Sequence, residues 1–168
     1  ENSERKSYIS SIYIIQFCSS LIFSGILFLL KDIISESILG VADSSLMSVI
    51  SVIIFLDNLW NHHLLILRSE NKSTAFISFN LLNVIMTMLL NVIFVVKWGY
   101  GINGVFFANL IASASVFILS SSVILKRLSF LEINLDILKN VIKFGMPFLP
   151  AGLLTMVMEL SNRYMLEM

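Results

Sequence analysis

The sequence predicts an all-α integral membrane bundle, and three observations carry that prediction. The chain is 57% hydrophobic and 13% charged, with mean hydropathy +0.91; an average soluble domain is about 25% charged. Residues 74–96 run T-A-F-I-S-F-N-L-L-N-V-I-M-T-M-L-L-N-V-I-F-V-V without a single charge. A helix of that length reaches roughly 34 Å, enough to cross a bilayer's hydrocarbon core. Finally, the apolar stretches are separated by short segments that hold charges or glycines, as in Arg68–Ser73 and K-W-G-Y-G at 97–101.

The first predicted span covers residues 8–30, after a polar lead containing Arg5 and Lys6. Gln16, Ser20 and Ser24 recur at every fourth position and form a polar stripe, and Ser20, Ser24 and Gly25 are small enough for close helix approach. Residues 33–41 read as a short connection. Asp43, Ser44 and Ser45 offer caps for a second span at 46–67. Asp57 lies near its middle, on one face with Asn61. A carboxylate there costs about 2.5–3.5 kcal/mol on insertion scales, which favours a position facing protein or water. It can serve a polar path or stay protonated against Asn83 or Gln16. Trp60 reads as a marker of a shallower level. His62 and His63 are adjacent, point to different faces and suit structural roles better than a metal site.

The third span, 74–96, is not uniformly greasy. Asn80, Asn83, Thr87 and Asn91 form one stripe, while Leu82, Val84, Ile85, Met88, Leu89, Val92 and Ile93 are expected on the opposite faces. The amides line a pathway or glue helices together; both uses give the same stripe. Trp98 and Tyr100 in the following turn suit a membrane interface, and its glycines permit sharp backbone geometry. The fourth span, 102–125, has a packing strip of Gly104, Ala108 and Ala112 and a polar side of Asn109 and Ser113. Gln16, Asp57 and Asn83 lie about nine to eleven residues from one membrane face, and Ser113 about thirteen, so the four share a depth within one helical turn. Such a layer is what a central cavity needs.

Residues 126–143 read as a linker with an amphipathic helix from Leu135. Its apolar side is Leu135, Leu138 and Ile142; its polar side is Asp136, Lys139, Asn140 and Lys143. A fifth span, 144–168, opens at F-G-M-P-F-L-P, where Pro147 and Pro150 predict a kink or loose first turn and are hinge candidates. It carries Glu159 and Arg163, which can pair at i, i+4. The chain opens at Glu1 without an initiator Met and stops at Met168 without a polar flank. The expectation is an internal piece of a longer, transporter-sized protein.

Other classes find little support. Formal net charge is zero, so no basic field awaits nucleic acid. Cys18 is the single cysteine, which excludes a disulfide framework within the chain. No metal-ligand spacing, nucleophile elbow or phosphate-binding loop occurs, so neither an enzyme nor a cofactor is expected.

The stretch from Leu67-Arg68 through the Asn-striped span, then G-Y-G-I-N-G with F-F-A-N-L-I, the basic linker, L-K-N-V-I-K-F-G-M-P-F-L-P and S-N-R-Y-M-L resembles the polysaccharide (O-antigen, Wzx-like) flippases. These belong to the multidrug/oligosaccharidyl-lipid/polysaccharide exporter superfamily. Asn162 departs from the pattern, in which an Asp often precedes the Arg, and an acidic role there is left open. The resemblance implies a MATE-like transporter of 12–14 helices, of which this chain is the third to the seventh. Residues 1–125 would then belong to the N-lobe and 144–168 would open the C-lobe. It also implies the activity: flipping a polyprenyl-pyrophosphate-linked oligosaccharide across the cytoplasmic (inner) membrane of a bacterium or archaeon by alternating access. H⁺ or Na⁺ would be the coupling cation. Gln16, Asp57, Asn61, Asn80, Asn83, Thr87, Asn91, Asn109, Ser113, Glu159 and Arg163 are the pathway candidates. A cation-coupled multidrug exporter of the same superfamily would favour acidic and aromatic cavity residues over amides. A non-transporting membrane scaffold would bury the stripes as helix contacts.

Orientation follows from the Lys and Arg bias. Arg5, Lys6, Arg68, Lys72, Lys126, Arg127, Lys139 and Lys143 fall on one side, Lys31 and Lys97 on the other. The richer side is expected in the cytoplasm. Reporter fusions at Ser129 and Gly101 should therefore report a cytoplasmic and an external position respectively. A Ser129 fusion active outside would reverse the orientation.

Overall fold

The computed structural model describes residues 2–39, 44–124 and 135–148, and from there to residue 161 all but 149, 153, 156, 159 and 160. The described residues form six α-helices: α1 (Asn2–Leu29), α2 (Lys31–Leu39), α3 (Ser44–Ser69), α4 (Ser73–Asn91), α5 (Gly101–Ile124) and α6 (Leu135–Gly145). A π-helical segment, Val92–Lys97, extends α4. Four of these stretches are long and apolar enough to cross a membrane: Ser7–Leu29, Ser44–Ser69, Ser73–Lys97 and Gly101–Ile124. They match the four spans expected up to residue 125. The protein is an all-α polytopic membrane protein.

The spans pack in the spatial order α1, α3, α5, α4. α3 lies against both α1 and α5, and α4 lies chiefly against α5. Burial follows position. The inner α3 has 44% of its apolar window buried, whereas the outer α1 and α4 have 6% each. On α4 the side chains of Ile77, Leu81, Ile85 and Leu89 are exposed, a surface suited to hydrocarbon.

Small residues set the spacing. Gly104, Ala108 and Ala112 are all buried on α5, as their strip predicted. A Cβ on Gly104 would stand 3.2 Å from the Phe94 backbone carbonyl, so the π segment and α5 touch backbone to side chain there. On the other flank of α3, Ser24 Oγ donates to the Ser51 carbonyl (2.6 Å) and Ser20 Oγ to the Phe55 carbonyl (3.4 Å). These serines of the α1 stripe serve helix packing. Below them Trp60, Leu64, Ile66 and Leu67 of α3 join Val116 and Ile124 of α5 in one apolar core, with Phe76, Phe79 and Leu82 of α4 packed against it.

Both described turns between spans are built for reversal. At the end of α3 the Lys72 N–H donates to the Leu67 carbonyl and the Asn71 N–H to the Arg68 carbonyl, each at 3.0 Å. Asn71 takes the left-handed conformation, φ +58°. This is a Schellman closure, with asparagine in place of the usual glycine. Lys72 and Glu70 pair across it at 3.1 Å. After α4, Gly99 (φ +69°) and Gly101 (φ +55°) supply the two left-handed residues that the K-W-G-Y-G turn requires. Phe94, Trp98 and Tyr100 cluster there, with ring centroids 5.0–6.4 Å apart.

Several expectations need correction. Residues 33–41 are not a plain connection, because α2 covers most of them. The Leu30 and Ile34 amides donate to Ile26 and Leu30, both at 2.9 Å, so the helical ladder runs on past Lys31. Trp60 does not mark a shallow level; it is 6% exposed, in the core. The π segment was invisible in sequence, because its register shift leaves the apolar pattern intact. On α6, Ile137 is buried. Its Lys139, Asn140 and Lys143 are exposed, but so is Ile142, which had been assigned to the apolar side. The helix breaks into a turn at Met146–Pro147 and resumes at Phe148, where the first proline was expected to disturb it. The linker residues 126–134, together with Glu159, Asn162 and Arg163, lie outside the described residues.

The packing strip predicts its own test. Ala112→Leu should destabilise the bundle by about 1–3 kcal/mol through overpacking. Thermal melting in detergent should show this, while the exposed Leu119→Ala leaves the transition within a degree or two.

Candidate functional site

The α4 stripe resolves into two uses. Asn80 Nδ2 donates to the Phe76 carbonyl of its own helix, 3.0 Å away, so it is locally satisfied. One turn further on, Asn83, Thr87 and Asn91 line a groove of about 570 Å³ with Asn109 of α5. Val84, Met88 and Val92 complete the wall. They stand one residue further round α4, so an apolar rail runs beside the amide rail. The sequence reading had placed these three away from the stripe. The groove shows that a wall two rails wide holds both. Asn83 Oδ1 and Asn91 Oδ1 are buried without a hydrogen-bond partner among the described residues. A carbonyl so placed costs about 1–3 kcal/mol.

The groove is uncharged. Its three amides each donate and accept, and the Thr87 hydroxyl does both. That set recognises hydroxyl and amide groups and has no strong base or nucleophile.

Asp57 belongs to a different place. Its Oδ1 accepts from Trp60 Nε1 at 2.8 Å and from Ser113 Oγ at 2.5 Å. The first bond lies within α3, and the second ties α3 to α5. Asn83 and Gln16, the expected partners, do not take part: Asn83 is in the groove, and Gln16 is half-buried on α1, at the opposite end of the row of helices. Asn61 shares a helix with Asp57 but is exposed, and its Nδ2 donates to the Asp57 backbone carbonyl at 2.8 Å. Equal depth therefore did not mean convergence. Of the four-residue layer, the structure joins only Asp57 and Ser113.

A third polar cluster escaped the sequence reading. His63 is 1% exposed. Its Nδ1 lies 2.7 Å from Ser120 Oγ and its Nε2 3.3 Å from Tyr13 Oη, bridging α3 to α5 and to α1. The ring stacks between Tyr13 (5.5 Å) and Phe117 (5.6 Å). His63 is thus tied into the packing, whereas His62 Nε2 is buried without a hydrogen-bond partner among the described residues. The partners of His63 were not found, because nothing in one helix's pattern names a residue on another.

The comparisons agree with this architecture. A family model described as "polysaccharide biosynthesis protein" matches residues 1–165. The chain belongs to that family. No curated protein and no solved structure matches it.

The Asp57 bonds predict an ordered series. Asp57→Leu strands the Trp60 and Ser113 donors in the seam and should cost about 1–3 kcal/mol in thermal unfolding. Asp57→Asn keeps an Oδ1 acceptor and should cost clearly less. Equal losses would mean that charge, not hydrogen bonding, holds the seam.

Proposed function

We propose that this member of the polysaccharide biosynthesis family is part of a flippase that moves a lipid-linked oligosaccharide across the cytoplasmic membrane by alternating access. The observation that carries the reading is the amide groove on α4 and α5. Two of its amide oxygens lack partners, and the rest of its polar groups suit a glycan's hydroxyls. Amides used only as helix glue would be bonded to a neighbouring helix, as Ser20 and Ser24 of α1 are. The groove contains no acidic side chain, which favours a sugar over the cationic drugs a multidrug exporter takes. The lipid tail stays in the bilayer during transfer, and no covalent step is required. Pro147 and Pro150 are the proposed hinge, and H⁺ or Na⁺ the proposed coupling cation. Asp57 is the acidic candidate for that cation on α3, with its carboxylate shared with seam packing.

The double variant Asn83→Leu, Asn91→Leu in the full chain tests the reading. Membrane level should be normal, because the groove is not the seam. Translocation of lipid-linked oligosaccharide should fall by at least about tenfold, the effect of roughly 1.4 kcal/mol of lost recognition. Undiminished translocation would reduce the amides to packing.

A further inference from the structure

Resting on the flippase reading, we infer that the part of the glycan lying along α4 is an uncharged run of sugars, held lengthwise with its pyrophosphate outside the groove. Among the described residues the lining contains Asn83, Thr87, Asn91 and Asn109, and no ionisable side chain. A carboxylate or phosphate against this wall would give up water and meet no cation there in return. Lys97 ends the span and Lys72, paired with Glu70, precedes it, so cationic charge lies at the ends and not along the wall.

The spacing supports a lengthwise pose. Asn83, Thr87 and Asn91 are four residues apart, which sets them about 6 Å apart along the axis. That is close to the length of one pyranose unit with its glycosidic oxygen. Val84, Met88 and Val92 repeat the interval beside them. A pyranose is itself two-sided, with hydroxyls at its edge and C–H groups on its face. Laid along α4, each ring meets an amide or hydroxyl on one rail and an apolar side chain on the other. The partnerless oxygens of Asn83 and Asn91 stand at the first and last of these steps.

The test uses the full chain in proteoliposomes and two lipid-linked trisaccharides on the same polyprenyl pyrophosphate. One carries three N-acetylhexosamines; the other has a uronic acid as its middle sugar. The neutral lipid should cross about tenfold faster or more, since only the acid must shed its hydration uncompensated. Thr87→Lys should narrow the ratio by speeding the acidic lipid, and Asn91→Asp, which keeps the side-chain size, should widen it. Equal rates in the wild type would overturn the inference, as would a ratio that neither variant shifts at normal membrane level. If the wild type moves neither lipid, the flippase reading fails. Calorimetric binding of the two free trisaccharides then decides the inference separately: selective binding of the neutral one upholds it, and equal or no binding sinks it.

Discussion

A polar side chain in a membrane bundle has to find a partner inside the protein or face a path that water or ligand can use. Hydrocarbon offers neither donor nor acceptor. This requirement orders the whole structure. Ser20 and Ser24 answer it by donating to α3 backbone, Asp57 by accepting from Trp60 and Ser113, and His63 by bridging Ser120 and Tyr13. All of these but the Asp57–Trp60 bond, which lies within α3, join two spans, so the same groups that need satisfying specify which helices touch. With apolar contacts nearly as favourable to lipid as to protein, these bonds and the Gly104–Ala108–Ala112 strip fix the row α1, α3, α5, α4.

Not every buried group is answered. Among the described residues Ser11 Oγ, His62 Nε2 and Ser121 Oγ have no partner, and neither do the Asn83 and Asn91 carbonyl oxygens. Those two share one groove on an outer helix, beside the π-helical segment that ends it. Such segments cost hydrogen-bond geometry and often accompany functional sites. Here the segment also brings Phe94 against Gly104 and starts the turn in which the aromatic rings cluster. The Asp57–Ser113 bond at the seam and the uncharged groove on α4 thus lie in different parts of the bundle.

The separation changes how Asp57 reads. Alone in a sequence, a mid-span carboxylate points to a pathway. With Trp60 and Ser113 on its Oδ1, it is first a joint between α3 and α5. A coupling role at Asp57 would therefore work through the seam, since changing its protonation also changes what holds two central helices together.

The residue pattern by itself settled the fold class, the four spans to within a few residues, the amide stripe and the small-residue strip. These depend on hydropathy and on helical periodicity, which are local properties of the chain. Asn109 was also legible as polar and correctly placed on its helix. The pairing of faces was not legible. Depth put Gln16, Asp57, Asn83 and Ser113 on one level, yet rotation about each helix axis and the order of the helices sent them to different places. Trp60 looked interfacial until Asp57 gave its N–H a partner. The His63 bridge required three helices to meet at one depth and one azimuth. Periodicity fixes which residues share a face; only packing between helices decides what that face meets, because that choice depends on side chains far apart in the chain.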